Sequence, residues 1–447
     1  MKHQPSTMHA IDKLAALIVD RPTGFLAAST REKCSLLVAD LMAASAGGIN
    51  SQLATAARAT ARDIYGDGNA TVWLSGERAS IAGAAMANAA AASALDIDDG
   101  HRRAAGHPGA GIIPAVIAVA QALDLPDESI FEAIVLGYDV GLRIAASRPM
   151  ATIETYCSGR WVNYGVAAAT GRLLELDGRE LAHAMAIAGA EGPISVPAGG
   201  TNYQSTTVKE VIPPAVVAGL TGAFRARAGA TGPRDLLDSP DRFAPEILIG
   251  GFGDRWWIED CYIKPYACCR WIHGAIDAIL ELRQPGTKIR SLRIETFPQG
   301  LRLANERAPQ SLEGAQYSYY FSCALAALHG AGAMQPINST RLRDREVIEL
   351  AGAIELVPHD DFAEAFPERT PSRVFMDQGS GMQSVTVHHP LGDVANPMSY
   401  VQVTRKLQGL AADSIGQVRF ETLQSALDGL DRHGFRPLMA ALQSENS

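Results

Sequence analysis

The chain is short of the features that would assign it to several common classes. Its six cysteines, Cys34, Cys157, Cys261, Cys268, Cys269 and Cys323, include no CxxC pair. The adjacent Cys268 and Cys269 are poorly placed to share one metal, so zinc-ribbon and iron–sulfur readings fail on spacing. No run of basic residues exists, and 39 Lys and Arg stand against 48 Asp and Glu for a net charge of −9. Such a chain lacks the cations that displace counterions from a nucleic-acid backbone, which argues against a nucleic-acid partner. Long apolar runs are missing too. The uncharged stretch Ala79–Leu95 is mostly Ala, Ser and Asn, and Ala104–Leu123 is interrupted by His107, Pro108 and Pro114. Neither has the roughly 20 strongly apolar residues of a membrane span. The first twenty residues carry charges through their only apolar stretch, unlike a signal peptide. These features predict a soluble, cytoplasmic protein. No repeat of fixed period and no low-complexity tract is visible.

What is present is core-forming material. Of 447 residues, 47% are hydrophobic and 19% charged. This excludes disorder as the main state and suggests two or three domains. The first 250 or so residues read as successive helices. Ile11, Leu14, Leu17 and Ile18 form one apolar face; Leu36, Leu37, Leu41 and Met42 form another, stopped by Gly47 and Gly48. Ala79–Leu95 suits a buried helix approached closely by its neighbours. Asp127 is a plausible N-cap for Ser129–Ala146, with Val166–Leu174, Leu181–Ala190 and Ala215–Ala228 continuing the pattern. Near residue 260 the character changes. Ser291–Phe297 and Gln383–His389 alternate as strands do, Ala315–Leu328 and Asp344–Leu356 read as helices, and Tyr400–Leu410 and Phe420–Leu430 return to helix.

Four clusters carry chemistry. The first runs from Asp96 through Asp98, Asp99, Gly100 and His101 to the Gly106-His107-Pro108-Gly109 turn. A calcium loop fails here, because Gly100 and His107 occupy positions that need oxygen ligands; taken alone, the segment equally suits a solvated loop with capping acids. The second is Tyr156-Cys157-Ser158-Gly159-Arg160, before Gly165 and an Ala-rich helix whose start can hold a carboxylate. The third is Lys209, which either reaches solvent, pairs with an acid such as Glu210, or sits dry as a base or anion clamp. The fourth, Lys264 to Asp277, contains Arg270 and His273, the latter one helical turn from Asp277 and able to bond it. His183 and His329 read as structural, and His388-His389 remains open. The glycine clusters do not follow a strand with nucleotide-loop spacing.

In this order the clusters resemble the MmgE/PrpD family, which includes 2-methylcitrate dehydratase, cis-aconitate decarboxylase and iminodisuccinate epimerase. The matching stretches are NAAAASALDIDDG (88–100), HPGAGIIPAVIAVAQAL (107–123), GYDVGLRI (137–144), YGVAAATGRLLELD (164–177), KPYACCRWIHGAIDA (264–278), AQYS (315–318) and HPLGDVANPMS (389–399). The resemblance implies a mainly α fold: a large helical domain from residues 1–262 and 397–447, with an α+β lid domain, 263–396, inserted between them. It also implies a homodimer working without metal or organic cofactor on a small polycarboxylate held in the cleft. Carried over residue by residue, Asp96, His107, Lys209 and His273 fall on functional positions of the family. Tyr156 stands where the family has a histidine, with Ser158 in place of a threonine. Gly100 replaces a further threonine, Ile212 a histidine, and Phe321, beside Tyr320, a tyrosine.

The expected catalytic set is therefore Asp96, His107, Tyr156, Lys209 and His273, with Ser158, Arg160, Lys264 and Arg270 binding substrate. A lyase that removes water or CO₂ by proton abstraction next to a carboxylate is the first expectation. An epimerase using two acid/base groups, and a non-catalytic ligand-binding relative, are the alternatives.

Overall fold

The computed structural model describes residues 8–149, 153, 156–193, 203–411 and 414–443. The first seven residues, where the signal-peptide reading begins, lie outside them. The fold is mainly α. Among the described residues, nine α-helices precede residue 230: α1 (Ala10–Val19), α2 (Ala28–Gly48), α3 (Gln52–Thr60), α4 (Ile81–Ser93), α5 (Gly109–Leu123), α6 (Asp127–Ser147), α7 (Gly159–Leu173), α8 (Gly178–Glu191) and α9 (Ile212–Arg227). Helices α6, α7, α8 and α9 pack most closely on one another, with α4 and α5 against them. Their small residues explain how they approach. A Cβ on Gly165 would lie 2.5 Å from the Gly137 carbonyl oxygen, so α6 and α7 meet backbone to backbone. Ser80 caps α4 by accepting the Gly83 N–H at 3.2 Å, and Asp177 with Glu180 makes a capping box on α8.

Two helix boundaries differ from expectation. Asp127 is the first residue of α6 and not its cap; its carboxylate instead accepts the Phe435 N–H at 2.6 Å, tying α6 to the C-terminal region. Helix α7 opens at Gly159, six residues before Gly165, because Ser158 already has helical backbone angles.

Strands enter in pairs. β1 (Ala70–Thr71) pairs with β2 (Arg78–Ala79), and β3 (Gly100–His101) pairs antiparallel with β4 (Cys261–Tyr262). The β3–β4 ladder stitches the acidic loop after α4 to the segment that leads out of the first helices, past the short helix α10 (Pro245–Ile249). Beyond it come α11 (His273–Leu282), β5 (Ser291–Thr296), α12 (Leu312–Gln316), α13 (Tyr319–His329), α14 (Arg345–Ala353), β6 (Glu355–Pro358), β7 (Ser372–Asp377) and β8 (Met382–Val387). The sheet order is β6-β5-β7-β8, with β5 and β6 parallel and the other pairs antiparallel. Helix α11 packs on β7 and β8, and α13 packs on α11 and α14.

The helix expected over Ala315–Leu328 is interrupted at Tyr317–Ser318, where the Ser318 hydroxyl oxygen accepts the Phe321 N–H at 3.1 Å and starts α13. The helix expected over Asp344–Leu356 stops at Ala353, and its last residues become strand β6. The chain then returns to helix as α15 (Tyr400–Ala411), α16 (Gln417–Leu427), α17 (Leu430–His433) and α18 (Arg436–Gln443), with α15 packed along α2.

Candidate active site

One carboxylate oxygen organises the site. Asp96, fully buried, follows α4 at φ 52°, in the left-handed region that non-glycine residues seldom occupy. Its Oδ1 lies 2.9 Å from Lys209 Nζ, 3.3 Å from Lys264 Nζ and 3.7 Å from His107 Nε2. Burial by itself would raise the Asp96 carboxyl, but Lys209, Lys264 and His107 overcome it and hold the group well below the usual carboxylate range. Lys264 is also fully buried. Burial pulls its ammonium down, yet Asp96 and Asp98 more than offset that and raise it.

Lys209 and Glu210 are delivered together by an unusual turn. Lys209, Glu210 and Val211 have φ of 44°, 52° and 51°, three consecutive left-handed residues without a glycine. Such residues cost on the order of 1–3 kcal/mol each and persist only where surroundings over-determine them, as at functional sites. Lys209 Nζ also donates to Gln316 Oε1 at 3.1 Å and Tyr317 OH at 3.3 Å. Gln316 is fixed in turn by donating to the Ala94 carbonyl at 3.1 Å. Glu210 Oε2 accepts the Ser158 hydroxyl at 2.6 Å and the Ser158 N–H at 3.2 Å. Its Oε1 accepts Tyr317 OH at 3.2 Å and lies 3.8 Å from His107 Nε2.

His107 is oriented from behind. Its Nδ1 donates to the Asp99 carbonyl at 2.7 Å, and its N–H donates to Ser158 Oγ at 2.8 Å. This leaves Nε2 as the nitrogen facing Asp96 and Glu210. Asp98 Oδ2 lies 3.5 Å from Nδ1, and neither Asp98 oxygen has a hydrogen-bond partner among the described residues. The acidic residues Asp96, Asp98 and Asp99 and both imidazoles, His101 and His107, are buried, so the solvated-loop alternative does not apply to them. Asp99 caps α5 by accepting the Gly109 N–H at 3.0 Å and meets Tyr138 OH at 3.0 Å. Burial, then the charges of Asp98 and Asp40, push its carboxyl up to about 8. Gly100 is required where it stands, because a Cβ would lie 2.4 Å from Tyr262 OH, and that phenol fills the space.

The remaining expected residues sit differently. His273 is buried, its Nε2 donating to the Cys268 carbonyl at 3.1 Å and its Nδ1 accepting from Arg270 at 3.1 Å. Burial, with Arg270 and Lys264 nearby, drives it well below the usual imidazole range, so it is a neutral ring with both nitrogens committed. It makes no bond to Asp277, which takes Tyr266 OH and the Leu391 N–H, each at 2.7 Å. Arg270 clamps the Pro390 and Leu391 carbonyls and approaches Asp393. Ser158 spends its hydroxyl on Glu210 and the His107 N–H. Half-buried Tyr156 packs edge-on against Trp271 and Phe366, with the Arg302 guanidinium 5.6 Å from its ring centre. Burial raises its phenol and Arg302 opposes this. Arg160, also half-buried, lies in the first turn of α7.

Sequence reasoning missed Tyr317 and Gln316 as site residues, although both lie in the AQYS stretch, and it treated Glu210 only as a partner for Lys209. Phe321 is buried and Tyr320 lies under Arg307, 3.7 Å from its ring centre, so neither takes the position that Tyr317 holds. Asp96, His107 and Glu210 each offer a ligand atom within 4.8 Å of the others, the geometry of a three-donor metal site. The two ammonium groups on Asp96 already supply the positive charge there, and we assign no metal.

Chemically, this is a buried carboxylate–diammonium–imidazole cluster built from residues 96–107, 158, 209–210, 264 and 316–317. The MmgE/PrpD N-terminal domain matches residues 12–252, and the MmgE/PrpD C-terminal domain matches residues 266–431. Cis-aconitate decarboxylase of Aspergillus terreus is 26% identical over 400 residues, 80% of either chain. The cis-aconitate decarboxylase of Homo sapiens is 23% identical over 305 residues, 61% of this chain and 60% of that protein. With both domains matched across nearly the whole length, and the clusters meeting at one buried aspartate, this chain belongs to the MmgE/PrpD family.

Proposed function

We propose that the chain is a lyase that removes CO₂ or water from a small di- or tricarboxylate, next to a carboxylate group. The observation that carries this reading is the convergence of Lys209, Lys264 and His107 on Asp96 Oδ1, within 3.7 Å. The decarboxylases among its relatives support it.

Either reaction puts an electron pair on carbon beside a carboxylate. In decarboxylation the C–CO₂⁻ bond breaks, CO₂ leaves, and the carbon that keeps the pair takes a proton. In dehydration a base takes the C–H proton, the pair forms C=C, and the departing hydroxide takes a proton to leave as water. Both need fixed positive charge in a dry site and at least one proton carrier. Lys209, with Lys264 behind it, supplies the charge, and Asp96 holds the two ammonium groups in place. His107 Nε2 is the carrier, since Nδ1 is tied to the Asp99 carbonyl. Tyr156 is a second acid nearer the surface, and Arg160 attracts the anionic substrate. His273 and Arg270 position the loop at residues 390–393. The sheet-bearing segment 263–396 acts as a lid, and the chain works as a homodimer.

The test is turnover of cis-aconitate and 2-methylcitrate, read as CO₂ release and as absorbance of the new or shifted C=C. Lys209→Ala and His107→Asn should each lose about a hundredfold or more. Near-wild-type turnover in either removes that residue's role. Solvent deuterium entering the substrate with no product unsaturation would make the protein an epimerase. Thermal stabilisation by a tricarboxylate without turnover or exchange would make it a binding protein.

A further inference from the structure

We propose that Glu210 is a second catalytic proton carrier of this site, working with His107; the inference rests on the lyase reading above.

Three carboxylates surround His107, and their surroundings differ. Asp96 is neutralised by two ammonium groups, which fix it as an anion. Asp98 faces Nδ1, the nitrogen already committed to the Asp99 carbonyl. Glu210 faces Nε2, the working nitrogen, at 3.8 Å. No lysine or arginine among the described residues lies within ion-pair distance of it, and it is held only by the neutral donors Ser158 and Tyr317. Asp96 is committed to two cations, whereas Glu210 is bound by neutral donors and sets Oε1 beside the working nitrogen, the placement a proton-transfer group needs.

The 3.8 Å separation from Nε2 is too long for a direct hydrogen bond, so Glu210 and His107 are neighbours and not a bonded pair. Glu210 is 7% exposed, so the proton it carries is kept from bulk water. The left-handed run at 209–211 turns two successive side chains, Lys209 and Glu210, into the same cluster. Cation and proton carrier are therefore placed by one turn.

The proton balance follows. In decarboxylation, the C–C bond breaks, CO₂ leaves, and the protonated Glu210 gives its proton to the carbon that holds the electron pair. The resulting carboxylate takes one proton back from water by way of His107. In dehydration, the Glu210 carboxylate takes the C–H proton while protonated His107 gives its proton to the leaving hydroxide. After product release the proton on Glu210 passes back to His107, restoring both groups.

Glu210→Gln keeps the volume and one acceptor oxygen, enough for the two Ser158 donors, while the Tyr317 hydroxyl oxygen can accept the new amide N–H, so a structural role would largely survive it. The full-length variant should melt within a few degrees of the wild type yet turn over cis-aconitate or 2-methylcitrate at least about a hundredfold more slowly. Glu210→Ala should regain activity on addition of formate, a small carboxylate able to replace the lost one, while wild type gains nothing. If Glu210→Ala does not fold, the pH profile of Glu210→Gln decides: a lost limb supports the proposal and an unchanged shape overturns it. Glu210→Gln within threefold of wild type, or a folded Glu210→Ala that formate does not rescue, also overturns it. Wild-type protein inactive on every polycarboxylate would remove both readings; active wild type with undiminished Glu210→Gln would remove this one alone.

Discussion

Asp99 makes the folded chain take up a proton that the unfolded chain releases, and that has a measurable consequence. Its carboxyl is buried between Tyr138 OH and the Gly109 N–H and is pushed up to about 8, because burial and the neighbouring charges of Asp98 and Asp40 disfavour the anion. In the unfolded chain it returns to about 3.9. The folded-state value is the higher one, so its contribution to stability is intact below about pH 4 and is lost as pH rises toward about 8. Within that window the loss approaches about 1.4 kcal/mol per pH unit, and integrating from about pH 6 to about pH 8 gives about 2 kcal/mol. Asp99→Asn removes the titration and keeps the shape, since the amide oxygen still accepts from Gly109 and the amide N–H₂ still reaches Tyr138. Urea unfolding of both proteins at these two pH values isolates the effect, because every other titrating group is common to them. The variant should gain about 2 kcal/mol on wild type over the interval. Its turnover should persist, because His107 Nδ1 is held by the backbone carbonyl of residue 99 and not by its side chain. Parallel slopes for the two proteins, within about 0.5 kcal/mol, would show that Asp99 is ionised in the folded state and that the reasoning fails.

Two more expectations come from buried charges that frame the site. Lys406 of α15 donates to Asp40 of α2 and to the Ile97 carbonyl, each at 2.6 Å, so Lys406→Met leaves a buried acid alone and releases the residue after Asp96. Denaturant unfolding should show a loss of about 3 kcal/mol or more, and turnover should fall with it; a loss under about 1 kcal/mol would mean that α15 does not brace the loop. Arg102 pairs with Asp393 and donates to Thr370 Oγ1 at 2.6 Å, joining the acidic loop to the segment after β8. Asp393→Asn should speed hydrogen exchange of residues 389–396 and raise KM more than it lowers kcat; unchanged exchange would refute that link.

The contrast between what could and could not be read in the sequence follows from the range of the interactions involved. Helices α2, α4, α7 and α9 are legible because their apolar or small-residue faces repeat within one segment, and β5 and β8 because alternation is local. Strand β6 was invisible, since its four residues continue the apolar pattern of α14 and only their pairing beside β5 makes them extended. The break before α13 had a readable sign in Ser318, a capping residue, but Tyr317 beside it looked like one more helical aromatic. In the site, each chemical residue stood in a visible cluster, while the choice of partners did not. Lys209 has Glu210 next to it in the chain and bonds Asp96, 113 residues away. That choice depends on a left-handed turn at 209–211, a backbone state that no propensity of Lys, Glu or Val favours, and on another at Asp96, which Asp adopts only as a minority state. The state at Asp96 is held because the β3–β4 ladder, the Lys406 clamp and the Gln316 bridge to Ala94 fix the loop from three distant segments at once. A cluster assembled this way has its geometry set by tertiary contacts alone, so a substitution at Lys406 or Tyr262, neither of which touches Asp96 Oδ1, should disturb the chemistry as surely as one at Lys209.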